Sequence, residues 1–320
     1  MRILVTGATG FLGGVTAREL VRHGHTVMGL GRNAARGAAL EADGVRFMQA
    51  DLRTPAEWLP ALNGTDAVLH AAARSTLWGR WPDFMADNVT VSREVARACA
   101  ARGLRLVHIS TPSVYNAMRL SHHVPETTPV GPRFDSLYAH SKYLAELEVT
   151  LAHPEATMLR PRGIYGVGDT ALMPRLTRAL RAGRLPRLVR GEVHTELTHV
   201  RNVAHAARLA LEHPAPGVFN ITDGVPVPIW ATLDALADAL GVARPARYVP
   251  ARLAENAARV LELAARLHPA RPEPTLTAGG VRLLTRPMTL DLTRARERLG
   301  YAPVIGPQAG LAEVLMAVHA

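Results

Sequence analysis

Met1-Arg2-Ile3-Leu4-Val5-Thr6-Gly7-Ala8-Thr9-Gly10-Phe11-Leu12-Gly13 opens the chain: a short apolar run, then glycines at a Gly-x-x-Gly-x-x-Gly spacing. The run predicts a strand over residues 2–7, and the periodic apolar positions that follow predict a helix over 10–23. A dinucleotide loop needs a sharp turn, close backbone approach to a pyrophosphate, and free N–H groups at a helix N-terminus. Glycine meets these needs because it has no Cβ. A plain strand-turn-helix connection is the bland alternative, and the position between a first strand and a first helix favours the cofactor reading. Gly7, Thr9, Gly10, Phe11, Leu12 and Gly13 are thus candidate cofactor contacts.

Outward from that loop, apolar runs at 26–31, 45–50, 67–72, 104–110, 156–164 and 217–222 alternate with helical patterns such as 89–102 and 136–151. This predicts an α/β protein with a Rossmann-type, doubly wound parallel sheet of about seven strands. Beyond Gly166 the pattern loosens, with helices at 172–182 and 229–240 and a Pro/Arg-rich region over 244–287. The helical run 203–212 and the apolar run after it return to the sheet. We therefore expect a dinucleotide-binding domain over 1–164, rejoined by 200–224, and a smaller, discontinuous substrate-binding region over 165–199 and 225–320.

Composition narrows the class. The 320 residues are 48% hydrophobic and 20% charged, enough to bury a core. One cysteine, Cys99, permits neither an internal disulfide nor a thiolate-rich zinc site. The histidines lack ligand spacing, so no metal is expected. The N-terminus shows no signal peptide and no stretch suits a membrane span, which places the expected protein in the cytoplasm. Although the net charge is +10, the basic residues are scattered without blocks or interleaved aromatics, so nucleic acid is not an expected partner. Of the 37 basic residues only Lys142 is lysine, which points to coding bias. A lysine that survives such a bias marks a place where a compact charge is required.

The end of the second strand reads Leu30-Gly31-Arg32-Asn33. Enzymes that prefer NAD place an acid there for the ribose hydroxyls, whereas Gly31 followed by Arg32 favours NADP, with NAD as the alternative. Asp51 and Leu52 follow the third strand, where the adenine lies, and Ala71-Ala72-Ala73 after the fourth leaves room for close backbone approach.

Tyr138-Ala139-His140-Ser141-Lys142 sets a phenol and an ammonium one helical turn apart. Hydride chemistry at a carbinol carbon needs a proton partner at its oxygen, and a phenol of ordinary pKa is too weak a base at neutral pH. A fixed cation one turn away, with a positive nicotinamide nearby, would lower it. Tyr138 and Lys142 are the candidate catalytic pair. At the end of the fifth strand, Ser110-Thr111-Pro112-Ser113 offers hydroxyls at the sheet edge where ligands bind; Thr111 is preferred over Ser110 and Ser113, and ordinary turn formation is the alternative for each.

In this order and spacing, these motifs resemble the extended short-chain dehydrogenase/reductases over nearly the whole chain. Asp87-Asn88-Val89, Leu159-Arg160-Pro161-Arg162-Gly163-Ile164-Tyr165-Gly166 and Leu299-Gly300-Tyr301-Ala302-Pro303 belong to the likeness. Leu77-Trp78-Gly79-Arg80-Trp81-Pro82-Asp83-Phe84, Ser110-Thr111-Pro112-Ser113-Val114 and Gly166-Val167-Gly168-Asp169 look most like the branch of 3β-hydroxysteroid dehydrogenases, sterol dehydrogenases and β-keto acid reductases. The resemblance implies proton transfer by Thr111, Tyr138 and Lys142, and further cofactor-site roles for Asn88, Ser110, Pro161, Gly163 and Ile164. It also implies a small apolar substrate, sterol-like or a β-hydroxy/β-keto acid, and a possible homodimer through two sheet-flanking helices.

A nucleotide-sugar epimerase or dehydratase is the main alternative on the same fold. Such enzymes grip the diphosphate with an arginine where this chain has Thr195, and Glu196 beside it would repel a phosphate; Arg175, Arg187 or Arg190 are the possible substitutes. A non-catalytic cofactor-sensing protein would not need the Thr, Tyr and Lys set. Leu253, Ala257, Val260, Ala264 and Leu267 share one face of a helix over 252–268, read as packing like a lid over the site rather than inserting into a membrane. Trp78 and Trp81 are either pocket walls or anchors of the sheet edge.

Overall fold

Ile3 and Val5 in the first strand face one hydrophobic core while Leu4 faces the other, because successive side chains leave opposite faces of a strand. A computed structural model, which describes residues 1–118, 122–269 and 272–319, places this strand at the centre of a seven-stranded parallel sheet. Its members are β1 Arg2–Thr6, β2 Thr26–Gly31, β3 Arg46–Gln49, β4 Ala67–His70, β5 Arg105–Ile109, β6 Thr157–Pro161 and β7 Gly217–Ile221. Their spatial order, β7-β6-β5-β4-β1-β2-β3, reverses direction between β1 and β4. A crevice opens at the carboxyl ends of the strands at such a reversal.

Helix α1 (Phe11–Arg22) and helix α2 (Val200–Glu212) cover one face of the sheet. They contact each other, and Ala17 of the first shares one hydrophobic core with Ala206, Ala207 and Ala210 of the second. The other face carries Val91–Ala100 and the long helix Leu137–Ala152. Cys99 is fully buried in that second core, as a small apolar residue would be. Helices Leu172–Arg181, Ile229–Ala239, Ala251–Leu267 and Ala278–Thr285 build a third core around Leu188, Val193, Trp230, Ala258 and Val281.

Two expectations change. The sixth strand does not run on to residue 164: the ladder stops at Pro161, Gly163 takes a left-handed φ of +51°, and Ile164–Tyr165 pairs instead with Thr198–His199. Proline ends the donors and glycine permits the turn. In Ala251–Leu267 the face expected to pack is the one in solvent, with Leu253, Val260 and Leu267 exposed by 61%, 67% and 78%. Ala254, Ala258 and Ala265 pack instead, since small side chains let the helix lie close to the third core.

The glycine loop has no slack. A Cβ on Gly13 would lie 2.3 Å from the Gly7 carbonyl oxygen, and one on Gly7, whose φ is +69°, would lie 2.8 Å from the Ala72 backbone. Gly13→Ala should therefore lower stability by about 1–3 kcal/mol through forced displacement of the loop. Urea unfolding checks this, and an unchanged midpoint would show that the loop yields at no cost.

Candidate functional site

The carboxyl edge of the sheet forms one cleft of about 1270 Å³. That exceeds the roughly 300–1,000 Å³ of a pocket for a single drug-sized molecule, so a dinucleotide and a second molecule both have room. Gly7, Thr9, Gly10, Phe11, Leu12, Gly13, Arg32, Asp51, Leu52, Ala71, Ala72, Ala73, Ser110, Thr111, Tyr138, Lys142, Pro161, Gly163 and Ile164 all line it. The glycine positions whose Cβ would collide with backbone are the ones that keep this floor open, which fits a pyrophosphate at the N-terminus of α1.

Asn88 is the exception, standing behind the cleft wall. It lies in a wide π-type turn, Met85–Thr90, fully buried. Its side chain accepts from the Arg74 backbone N–H at 2.7 Å and donates to Ser141 Oγ at 2.8 Å. It thus braces the cleft segment around Arg74 against the helix that carries Tyr138. Trp78 and Trp81 do not line the main cleft either; Trp81 stacks on His140 with ring centroids 4.9 Å apart, and the Arg266 guanidinium lies over Trp78.

Helix Leu137–Ala152 begins at Ser136, whose hydroxyl accepts from the Ala139 N–H. Tyr138 stands in the first turn, with the Thr111 side chain beside its phenol. Burial nevertheless pushes the phenol up to about 12, so it is protonated at neutral pH. This is opposite to the lowering that the spacing suggested. The ammonium of Lys142, 1% exposed, donates to the Ile109 carbonyl at 2.6 Å and meets His108 Nε2 at 3.2 Å. Burial brings that ammonium down to about 8, with the nearby Glu146 opposing the shift.

The three hydroxyls after β5 separate by geometry. Ser110 donates to Glu146 Oε1 at 2.5 Å, whereas Thr111, beside Tyr138, donates to Ser113 Oγ at 3.1 Å and accepts from the Ser113 N–H. Glu146 in turn holds Arg160 by a two-pronged ion pair, Nε to Oε1 at 2.8 Å and Nη2 to Oε2 at 2.5 Å.

At the second strand, Arg32 is exposed on the cleft rim and Arg36 beside it donates to the Thr9 carbonyl. A Cβ on Gly31 would lie 2.4 Å from Thr9 Oγ1, so an acidic side chain does not fit there. Arg36 escaped the sequence reading because its position depends on the turn around Asn33, the cap of the following helix. Arg162 escaped it as well: it lines the cleft and places its guanidinium on Thr195. Arg175, Arg187 and Arg190 are engaged elsewhere, with Glu273, Asp234 and the Tyr248 ring. Glu196 does not line the cleft; it accepts from the Leu290 N–H and acts on Arg162 at longer range.

Residues 3–222 match the NAD dependent epimerase/dehydratase family. The 2-alkyl-3-oxoalkanoate reductase of Stenotrophomonas maltophilia is 35% identical, with 97% of each chain covered. The 3beta-hydroxysteroid-dehydrogenase/decarboxylase isoform 1 of Arabidopsis thaliana is 30% identical over 86% of this chain and 67% of its own. The crystal structure of UDP-glucuronic acid 4-epimerase from Bacillus cereus with NAD superposes with a TM-score of 0.77 at 21% identity, covering 99% and 98% of the two chains, a likeness of fold.

Lys142 gives a pH test. Its folded value of about 8 lies below the ordinary 10.5, so between those values the native state has released a proton that the unfolded chain keeps. Stability contributed at this site therefore rises as pH climbs from about 8 towards 10.5 and is constant below. Denaturant unfolding of the wild type and Lys142→Met across pH 7–10 should show the difference moving in the wild type's favour at alkaline pH. A flat difference would mean that Lys142 titrates outside that range.

Proposed function

The chain belongs to the NAD dependent epimerase/dehydratase family, and on that premise we propose that this NAD(P)-dependent oxidoreductase interconverts a secondary alcohol and a ketone on an apolar substrate, with NADP preferred. The substrate is a β-hydroxy/β-keto acid or a sterol-like molecule. The observation that carries this reading is that Thr111, Tyr138 and Lys142 line the same cleft as the glycine loop.

NAD(P), when bound, supplies the hydride acceptor or donor. Tyr138, held protonated, gives its proton to the ketone oxygen in the reducing direction, and Thr111 binds the same oxygen. Lys142, fixed on the Ile109 carbonyl and on His108, holds a positive charge at the end of β5. Leu77, Leu172, Leu283 and Met288 supply apolar wall. The relatives' names support the class: one reduces a 3-oxoalkanoate, the other is a steroid dehydrogenase and decarboxylase.

Tyr138→Phe should cut turnover of a 2-alkyl-3-oxoalkanoate by about 10²–10⁴-fold with dinucleotide affinity unchanged. Turnover near the wild-type level would remove Tyr138 from the chemistry. For the dinucleotide, Arg32 and Arg36 frame the rim where a 2′-phosphate would lie. Arg32→Ala should weaken NADPH about tenfold and leave NADH unaffected, as read by fluorescence titration. Equal loss for both would place Arg32 away from the phosphate.

A further inference from the structure

Arg162 is 6% exposed, lines the cleft, and has no carboxylate at ion-pair distance among the described residues. Its Nε and Nη2 both donate to Thr195 Oγ1, at 3.0 and 2.8 Å, and its Nη1 contacts the weakly accepting Met288 Sδ at 3.0 Å. A guanidinium has five N–H groups. One on each terminal nitrogen is therefore left, and a carboxylate takes such a pair. Of the other cleft arginines, Arg282 is paired with Asp135 and Glu255, Arg286 with Glu255, and Arg53 and Arg74 with Asp87, while Arg32, Arg36 and Arg252 are exposed at the rim, so Arg162 is the buried one. Glu196 acts on Arg162 only at longer range, and its carboxylate is committed to Leu290. A buried charge without a counterion is costly, and in this cleft a bound anion would remove the cost. Burial lowers the guanidinium to about 10, which still leaves it charged at neutral pH.

We propose that Arg162 receives the substrate's carboxylate, so that the substrate is an acid whose carboxylate lies one carbon away from the carbon that is oxidised or reduced. This rests on the alcohol–ketone reading and selects within it: a β-keto or β-hydroxy acid is bound as its anion, and a neutral sterol ketone is not the preferred ligand. The break at Pro161–Gly163 serves this role, because it turns Arg162 out of the sheet ladder towards Thr195 and Met288, at the junction of the sheet and the second half of the chain.

The test separates this assignment from the chemistry. The NADP-saturated protein is titrated calorimetrically with a 2-alkyl fatty acid that lacks the C3 oxygen, and with its methyl ester. The wild type should bind the acid about tenfold to a hundredfold more tightly than the ester. Arg162→Met should lose that margin while binding the ester as the wild type does, and Arg162→Lys should keep part of it. Equal affinity of the wild type for acid and ester overturns the proposal, as does equal weakening of both ligands in Arg162→Met, which would make Arg162 a brace between Thr195 and β6. Arg162-dependent binding of a nucleotide sugar in preference to the acid also overturns it. If Arg162→Met does not fold, the wild-type comparison and Arg162→Lys decide. Turnover is then read with 2-alkyl-3-hydroxy acids and NADP⁺. No turnover alongside Arg162-dependent acid binding would count against the alcohol–ketone reading and leave Arg162 as the carboxylate site.

Discussion

The buried ion pair between Glu146 and Arg160 is the constraint on which the site depends. Glu146 lies on the helix that carries Tyr138 and Lys142, and Arg160 lies in β6; both are nearly inaccessible to water. Two parallel N–H···O bonds fix their relative orientation as well as their distance. Such a pair adds little net stability over an apolar substitute, but losing one partner strands a charge. Its value here is registry: the Ser110 hydroxyl also ends on Glu146, so the end of β5, the end of β6 and the helix are held at one carboxylate. From Arg160 the network continues to the Tyr115 hydroxyl and on to Asn220 in β7, whose amide reaches the Val124 and Asp291 carbonyls.

The helix held by that clamp carries two groups that are both protonated at neutral pH. Tyr138 keeps its proton because burial raises its pKa by more than the neighbouring Thr111 lowers it. Lys142 keeps a positive charge at neutral pH because the Ile109 carbonyl and Glu146 offset part of its burial. The pair therefore has a proton to give and a charge to hold before any ligand arrives. Arg162 adds the third element, a charge on the cleft wall with no carboxylate at ion-pair distance among the described residues.

Much of this was legible from residue order. The glycine spacing, Tyr138, Lys142 and Thr111 were readable because backbone clearance, helical periodicity and strand-end position are local properties, and all of them line the cleft. Asn88 was placed at the cofactor site only through the resemblance; that it braces Arg74 and Ser141 from behind the wall was not legible, since those bonds arise from a π-type turn and a neighbouring helix. The apolar stripe of Ala251–Leu267 pointed the wrong way because periodicity marks a face without saying what packs on it; the alanine face could lie closer to the third core than the leucine face. Arg162 carried no signal among 36 arginines.

By itself the sequence determined the α/β class, and it marked the glycine loop and the candidate residues Thr111, Tyr138 and Lys142, because each follows from spacing along a few turns of chain. Tertiary structure decided what those residues are connected to. Lys142 reaches the Ile109 carbonyl, Ser110 serves Glu146, and Arg162 is buried with no carboxylate at ion-pair distance among the described residues. These outcomes depend on desolvation and on partners 33 or more residues away in the chain, such as Ile109 for Lys142 and Thr195 for Arg162. Charge balance inside a cleft is a property of everything that surrounds it, and no local pattern encodes it.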